Sequence, residues 1–208
     1  MPSRRVIHVV DDDDGVLESL GLLLSVAGYS VLTYTSGIAF LAKLDPSIPA
    51  CVLLDFHMQH MDGLEVQRRL VKRGSAFPII LLTGQGDLSI AVRALKNGAF
   101  EFLEKPYPND LLLQAVAEAF AKLEGCNFDR ATTVQAKAGV AKLIRRETDV
   151  MRGLLAGLPN KLIAHELGIS VSTVEIYRAE IMGKFQAKSL SEAVRIALAA
   201  GLEPLPRL

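Results

Sequence analysis

Asp11, Asp12, Asp55, Thr83 and Lys105 are the residues whose types and positions point to shared chemistry. Asp11 and Asp12 directly follow the apolar run Val6–Val10, and Asp55 follows Cys51–Leu54. Thr83 follows Pro78–Leu82, and Lys105 comes after Phe100–Leu103. If these runs are parallel strands, their carboxyl ends lie along one edge, where open α/β sheets bind ligands. That edge would collect three carboxylates, a hydroxyl and an ammonium. Three crowded carboxylates repel one another and need a cation, and oxygen-only ligands favour a hard ion, Mg²⁺ with retained waters. A carboxylate beside Mg²⁺ can attack a phosphoryl donor and form an acyl phosphate. Such transfer rests on positioning and on neutralising spread negative charge. The metal, Lys105 and the Thr83 hydroxyl could each take one phosphoryl oxygen. Any one of these residues alone fits a turn former or a solubilising cap better. All five, each on the proper strand end, do not.

A second candidate is NKLIAHELGISVSTVEIYRA at positions 160–179. Leu162, Ile163, Leu167 and Ile169 suit a helix and turn, with Gly168 permitting a tight reversal. Ser172 is expected to cap the next helix, with Glu175 three residues later. Val174, Tyr177, Ile181 and Phe185 share one face at helical spacing and are predicted to be core. Glu175, Ile176, Arg178, Ala179 and Lys184 fall on other faces. Such a helix after a tight turn can enter a DNA major groove. Spacing alone fits a protein-binding helical hairpin equally well.

The elements that must position these residues follow from hydrophobic period. Strands are predicted at Val6–Val10, Ser30–Tyr34, Cys51–Leu54, Pro78–Leu82 and Phe100–Leu103. Helices are predicted between and after them at Val16–Ala27, Gly37–Leu44, Gly63–Arg73, Leu88–Asn97 and Asn109–Leu123. Five βα units in this length imply a parallel sheet covered by helices on both faces. Residues 124–141 are weakly periodic and read as a linker, partly helical at most. Beyond them the chain reads all-helical, at Arg146–Ala156, Asn160–Leu167, Ser172–Phe185 and Leu190–Ala200, with a frayed tail after Gly201.

Half of the 208 residues are hydrophobic and the formal net charge is zero, so a large core is available and global disorder is not expected. Residues 1–122 hold 11 basic and 14 acidic residues, and the remainder hold 12 and 9. That small asymmetry fits a cation site in the first half and a polyanion partner in the second, and it also fits chance. No apolar run is long enough to span a membrane. The two cysteines, Cys51 and Cys126, lack metal-ligand spacing and suggest a reducing, cytoplasmic setting.

The strings VVDDD at 9–13, LLD at 53–55, LLTG at 81–84 and EKPY at 104–107 resemble a response-regulator receiver domain. The stretch GDLSIAVRALKNGAFEFLEKPY at 86–107 is similar to the FixJ/NarL type. The resemblance implies a flavodoxin-like five-stranded domain over residues 4–122, phosphorylated by a cognate sensor histidine kinase. It makes Asp55 the phosphoacceptor. It makes Asp11, Asp12, Asp55 and the His57 backbone carbonyl the Mg²⁺ ligands. Thr83 and Lys105 take phosphoryl-sensing roles and Phe102 the aromatic switch position. A phosphatase that also forms an aspartyl phosphate is the alternative, but such enzymes usually place an Asp where this chain has His57, so no enzyme activity is expected. Relatives commonly carry Pro where this chain has Gln59. Without proline the loop samples more conformations before metal binds. Gln59→Pro is therefore expected to tighten Mg²⁺ binding by less than about tenfold, at about 0.4–1 kcal/mol, if φ at position 59 is already near about −65° and the Gln59 N–H is unpaired.

Arg146-Glu147, GLPNKLIAHELGIS, STVEIYRAEIMGKF and SLSEAVRIALAAGL resemble a LuxR/NarL-type four-helix domain. This implies a helix-turn-helix that binds double-stranded DNA over residues 143–203, after a linker at 123–142. It places Asn160, Lys161, Thr173, Glu175, Ile176, Arg178, Ala179, Lys184 and Lys188 among the DNA-binding residues. Lys161, Arg178, Lys184 and Lys188 would supply the phosphate contacts. Ile144 stands where Ser or Thr usually caps the opening helix, so a looser helix end is expected. The implied mechanism begins with a receiver that is monomeric or occludes the DNA-binding domain. Phosphorylation draws in Thr83 and Phe102, residues 88–120 then favour a homodimer, and two weak DNA modules act together. RNA polymerase is a further expected partner. A regulator controlled by a protein partner without phosphorylation is the competing reading, against which all five site residues argue.

Overall fold

Five short segments, each of four to six residues, form β1 (Val6–Val10), β2 (Ser30–Tyr34), β3 (Ala50–Asp55), β4 (Ile79–Thr83) and β5 (Glu101–Glu104). The computed structural model describes residues 5–84, 88–124 and 129–205. All four strand pairings are parallel, in the order β2-β1-β3-β4-β5. The order reverses between β1 and β3, so the crevice beyond their carboxyl ends is the place for a ligand. β3 and β4 each reach one residue further than their apolar runs predict. Asp55 and Thr83 are therefore the last residues of their strands. The ladder pairs Asp55 with Leu82, and Thr83 with Glu104, which sets the site residues side by side at one edge.

The helices between the strands are α1 (Asp14–Val26), α2 (Gly37–Lys43), α3 (Gly63–Lys72), α4 (Leu88–Lys96) and α5 (Asn109–Leu123). α1 starts two residues before its apolar period does, because Asp13 caps it: its side chain accepts from the Gly15 and Val16 amides at 2.8 and 3.2 Å. Buried residues of α1 and α5, among them Leu17, Leu24, Leu112 and Phe120, join Ile7, Leu53, Ile80 and Leu103 of the sheet in one core. On the other face the His8 ring packs at a tilt against Tyr34 and Phe40. α3 enters close to the sheet. A Cβ on Gly63 would lie 2.6 Å from the Asp55 carbonyl oxygen, so only glycine fits there.

Contacts divide the chain into two units, Met1–Gln85 with Lys96–Cys126 and Gly86–Leu95 with Asn127–Leu208. Besides nearly all of α4, the second unit holds α6 (Asp129–Val140), α7 (Arg145–Leu155), α8 (Asn160–Leu167), α9 (Val171–Phe185) and α10 (Leu190–Ala199). α7, α8 and α9 pack together and α10 packs on α6. Much of the stretch read as linker is thus α6. It runs close to α9, since a Cβ on Gly139 would lie 3.4 Å from the Phe185 ring. The tail past Gly201 is held further than expected. The Leu205 N–H donates to the Arg152 carbonyl at 3.0 Å, and Arg152 Nε donates to the Glu203 carbonyl at 3.1 Å. Pro206 lies outside the described residues.

Candidate functional site

Asp11, Asp12 and Asp55 come together as expected of neighbouring strand ends, each offering a carboxylate oxygen, all within 4.8 Å of one another. Asp11 is 2% exposed and Asp55 5%, whereas Asp12 faces solvent. Lys105 reaches into the same crevice. Its Nζ lies 2.7 Å from Asp55 Oδ1 and 3.0 Å from Asp11 Oδ2. The Lys105 N–H donates to the Thr83 carbonyl at 2.7 Å, which fixes where the side chain starts.

The electrostatics follow from burial. Desolvation raises the Asp55 carboxyl above its ordinary value, and the Lys105 ammonium only partly draws it back down. For Lys105, burial opposes the charge, but Asp55 and Asp11 together outweigh it and raise its pKa. The two partners differ because Lys105 keeps a third of its side chain exposed while Asp55 keeps 7%. An all-oxygen set of three carboxylates with too little positive charge fits a hard divalent ion. Asp11, Asp12 and Asp55 would hold such an ion through their carboxylate oxygens, and Mg²⁺ would suit that donor set.

Thr83 is buried, and its hydroxyl donates to the Leu103 carbonyl on β5 at 3.4 Å. Phe102 is buried at 4% exposure. His57 is exposed, and its ring meets Phe56 edge-on.

The loop after Asp55 departs from expectation. The Gln59 N–H donates to Asp12 Oδ2 at 2.9 Å, so the condition under which Gln59→Pro would tighten metal binding is not met. Sequence carried no sign of this bond, because a backbone amide is the same at every non-proline position.

In the helical unit Gly168 takes a left-handed φ of +63° and closes α8, which lets α9 turn back sharply. The cap of α9 is Ser170, not Ser172: Ser170 Oγ accepts from the Thr173 N–H at 3.0 Å. The helix therefore starts before Ser172, whose own hydroxyl pairs with Ser170 at 2.8 Å. Val174, Ile181 and Phe185 are buried as predicted, and Tyr177 is only partly so. Glu175, Ile176 and Ala179 form an outward face, with Ile176 58% exposed. Lys161 and Lys188 are exposed. Arg178 Nη1 donates to Asn160 Oδ1 at 3.0 Å and so joins α9 to the start of α8. The Thr173 hydroxyl pairs with Ser170 at 2.7 Å.

Lys184 does not join that face. Its Nζ donates to Glu147 Oε2 at 2.6 Å, and Glu147 is fully buried. Glu147 also accepts from the Ile144 N–H at 2.7 Å. This is half of a capping box, the half that needs no hydroxyl at position 144. The opening of α7 is therefore tied rather than loose. Its signal in sequence is Glu147 three residues after Ile144.

Comparison with known proteins agrees with both halves. The family model described as "Response regulator receiver domain" matches residues 7–117, and "Bacterial regulatory proteins, luxR family" matches residues 141–197. The transcriptional regulatory protein FixJ of Bradyrhizobium diazoefficiens is 44% identical, across 97% of this chain and 98% of that one. FixJ of Rhizobium meliloti is 38% identical, across 95% and 97%. Among solved structures, full-length FixJ from B. japonicum is 43% identical with a TM-score of 0.56, across 96% and 98%. The response regulator StyR is 36% identical with the same TM-score, across 94% and 98%.

Proposed function

Because this chain belongs to the two-component response regulators that join a receiver domain to a luxR-family DNA-binding domain and control transcription, we propose that Asp55 is its phosphoacceptor. The observation that carries this reading is the triad of contacts around Asp55. It is the last residue of the central strand β3, two further carboxylates lie within reach of one ion, and Lys105 is bonded to it.

In this reading an Asp55 carboxylate oxygen attacks the phosphorus of a phosphohistidine on the kinase. The P–N bond breaks, and the imidazole leaves with the electron pair. Bound Mg²⁺ would neutralise charge on the transferring group. Asp11, Asp12, Asp55 and the His57 carbonyl would hold the ion. Lys105 is placed to follow a phosphoryl oxygen on Asp55, exchanging one anion for another. The Thr83 hydroxyl would turn from the Leu103 carbonyl to a second phosphoryl oxygen and give up its bond to β5. That exchange would pull on β5, which also carries Phe102.

The residues 88–120 surface then favours a homodimer, and two copies of α9 reach DNA together. Glu175, Ile176 and Ala179 supply the groove face. Lys161, Lys188 and the Asn160–Arg178 pair supply backbone contacts, with RNA polymerase a further partner of the DNA-bound dimer. Residues 4–122 act as receiver and 143–203 as the DNA-binding domain. α6 in the expected linker extends the packed helical unit toward the receiver in sequence.

The test is incubation with acetyl phosphate and Mg²⁺, followed by intact-mass spectrometry and sedimentation velocity. One added phosphoryl group and a shift to dimer are expected. Phosphorylation that changes neither oligomeric state nor DNA affinity would refute the coupling between the domains.

A further inference from the structure

We propose that the backbone amide of Gln59 is a positioning group for the cation site, holding Asp12 in place and tying the loop after β3 to the loop after β1. The inference rests on reading Asp11, Asp12 and Asp55 as the cation ligands.

Asp11 and Asp55 are buried and share Lys105. Asp12 is exposed, and an exposed carboxylate ordinarily rotates among several rotamers. The Gln59 N–H donates to its Oδ2 at 2.9 Å across 47 residues of sequence. With Oδ2 taken, Oδ1 is left for an ion, so Asp12 is set for coordination through one oxygen. The donor is neutral and leaves the carboxylate charge in place.

The amide can do this because the loop is held on both sides of it: before it, the Met58 N–H donates to the Phe56 carbonyl at 3.2 Å. The Gln59 carbonyl accepts from the Met61 N–H at 2.8 Å, with His60 between them at a left-handed φ of +66°. Met58 and Met61 bury their side chains at 9% and 8% exposure. Near the end of the loop, the Gly63 N–H returns to the Phe56 carbonyl at 3.0 Å. The loop is thus held without a ring at position 59. A proline there would stiffen the turn but would have no N–H for Asp12. A hydrogen bond to a charged group outweighs the rigidity that one proline adds, so the exchange favours the amide.

The experiment compares Gln59→Pro with Gln59→Ala in the full chain. Both lose the glutamine side chain, and only the alanine variant keeps the amide. Mg²⁺ dissociation constants are measured by calorimetry, with metal-free Tm as a check on folding. Gln59→Pro is expected to bind Mg²⁺ about three- to tenfold more weakly than Gln59→Ala, the loss of one such bond at an exposed carboxylate being partly offset by proline's rigidity. Equal or tighter binding by a folded Gln59→Pro overturns the proposal. A second measurement needs no metal and no proline. In ¹⁵N spectra of the metal-free chain, Asp12→Ala is expected to shift the Gln59 amide resonance and speed its hydrogen exchange. An unmoved Gln59 amide overturns the tether. A wild-type chain that binds no Mg²⁺ while this tether is present refutes the cation reading itself, and with it the amide's role there.

Discussion

Lys105 bonds Asp55 and Asp11 at once, with its ammonium 2.7 Å from one carboxylate and 3.0 Å from the other. One cation therefore serves two anions, and Asp12 lies close by with a third. The balance is incomplete, which is why burial still holds the Asp55 carboxyl above its ordinary value. A site left short of positive charge is one that gains by taking up a cation.

Asp55→Asn is expected to abolish labelling by acetyl phosphate, because the amide oxygen is too weak a nucleophile to form the acyl phosphate. Asp12→Ala should depress labelling by weakening Mg²⁺ binding. Intact-mass spectrometry reads both, and equal phosphorylation of Asp55→Asn and wild type would sink the assignment.

The same residue predicts a pH dependence. The folded state holds the Asp55 proton more tightly than the unfolded chain does, since its carboxyl is raised above 3.8. Its burden on stability is absent at lower pH and grows as pH rises through 3.8 toward the raised folded-state value. The carboxamide of the Asp55→Asn variant cannot ionise. Without Mg²⁺, the Tm of Asp55→Asn should exceed that of wild type by a margin that widens across this window. Added Mg²⁺ should narrow the margin by stabilising the wild-type carboxylate. A margin independent of pH would contradict the account.

Glu147 and Lys184 are predicted to matter to folding rather than to DNA. Lys184→Met leaves a fully buried carboxylate with the Ile144 amide but without its cation. Because Lys184 is 33% exposed, the cost should be about 2–3 kcal/mol, below the roughly 3–5 kcal/mol of a fully buried pair. Lys184 and the neighbouring hydrogen bonds overcome burial and hold Glu147 below its ordinary 4.5. The pair's contribution is therefore present above pH 4.5 and lost as pH falls below it. Urea titrations of both proteins at neutral pH and at pH 3.5 check this. Equal stability at neutral pH would show that the pair adds nothing to the fold.

Lys161→Ala and Arg178→Ala should weaken DNA binding across sequences and flatten its salt dependence, as loss of a phosphate contact does. Arg178→Ala also releases Asn160, so it should cost more than Lys161→Ala. Ile176→Ala should change sequence preference more than salt slope. Salt-titrated binding isotherms separate the cases. An unchanged affinity and slope for Lys161→Ala would remove it from the backbone contacts.

β1, β3 and β4 were legible because each is a mostly apolar run ending at a polar residue, and buried parallel strands carry that pattern on both faces. The gathering of Asp11, Asp12, Asp55, Thr83 and Lys105 was legible for the same reason, since strand ends in a parallel sheet share an edge. α9 was legible in its buried face, and its start was misplaced because Ser170 and Ser172 are chemically equal candidates for the cap. The sequence by itself thus determined which residues meet at the sheet edge, through local period and the geometry of parallel pairing. Tertiary structure alone decided what each polar group does once there. Gln59 lends a backbone amide that no side-chain pattern reveals. Lys184, a phosphate contact by position, turns inward because Glu147, 37 residues away, is buried and needs a cation. Hydrogen bonds and ion pairs between distant segments depend on distances of a few ångströms, and only the folded chain sets those.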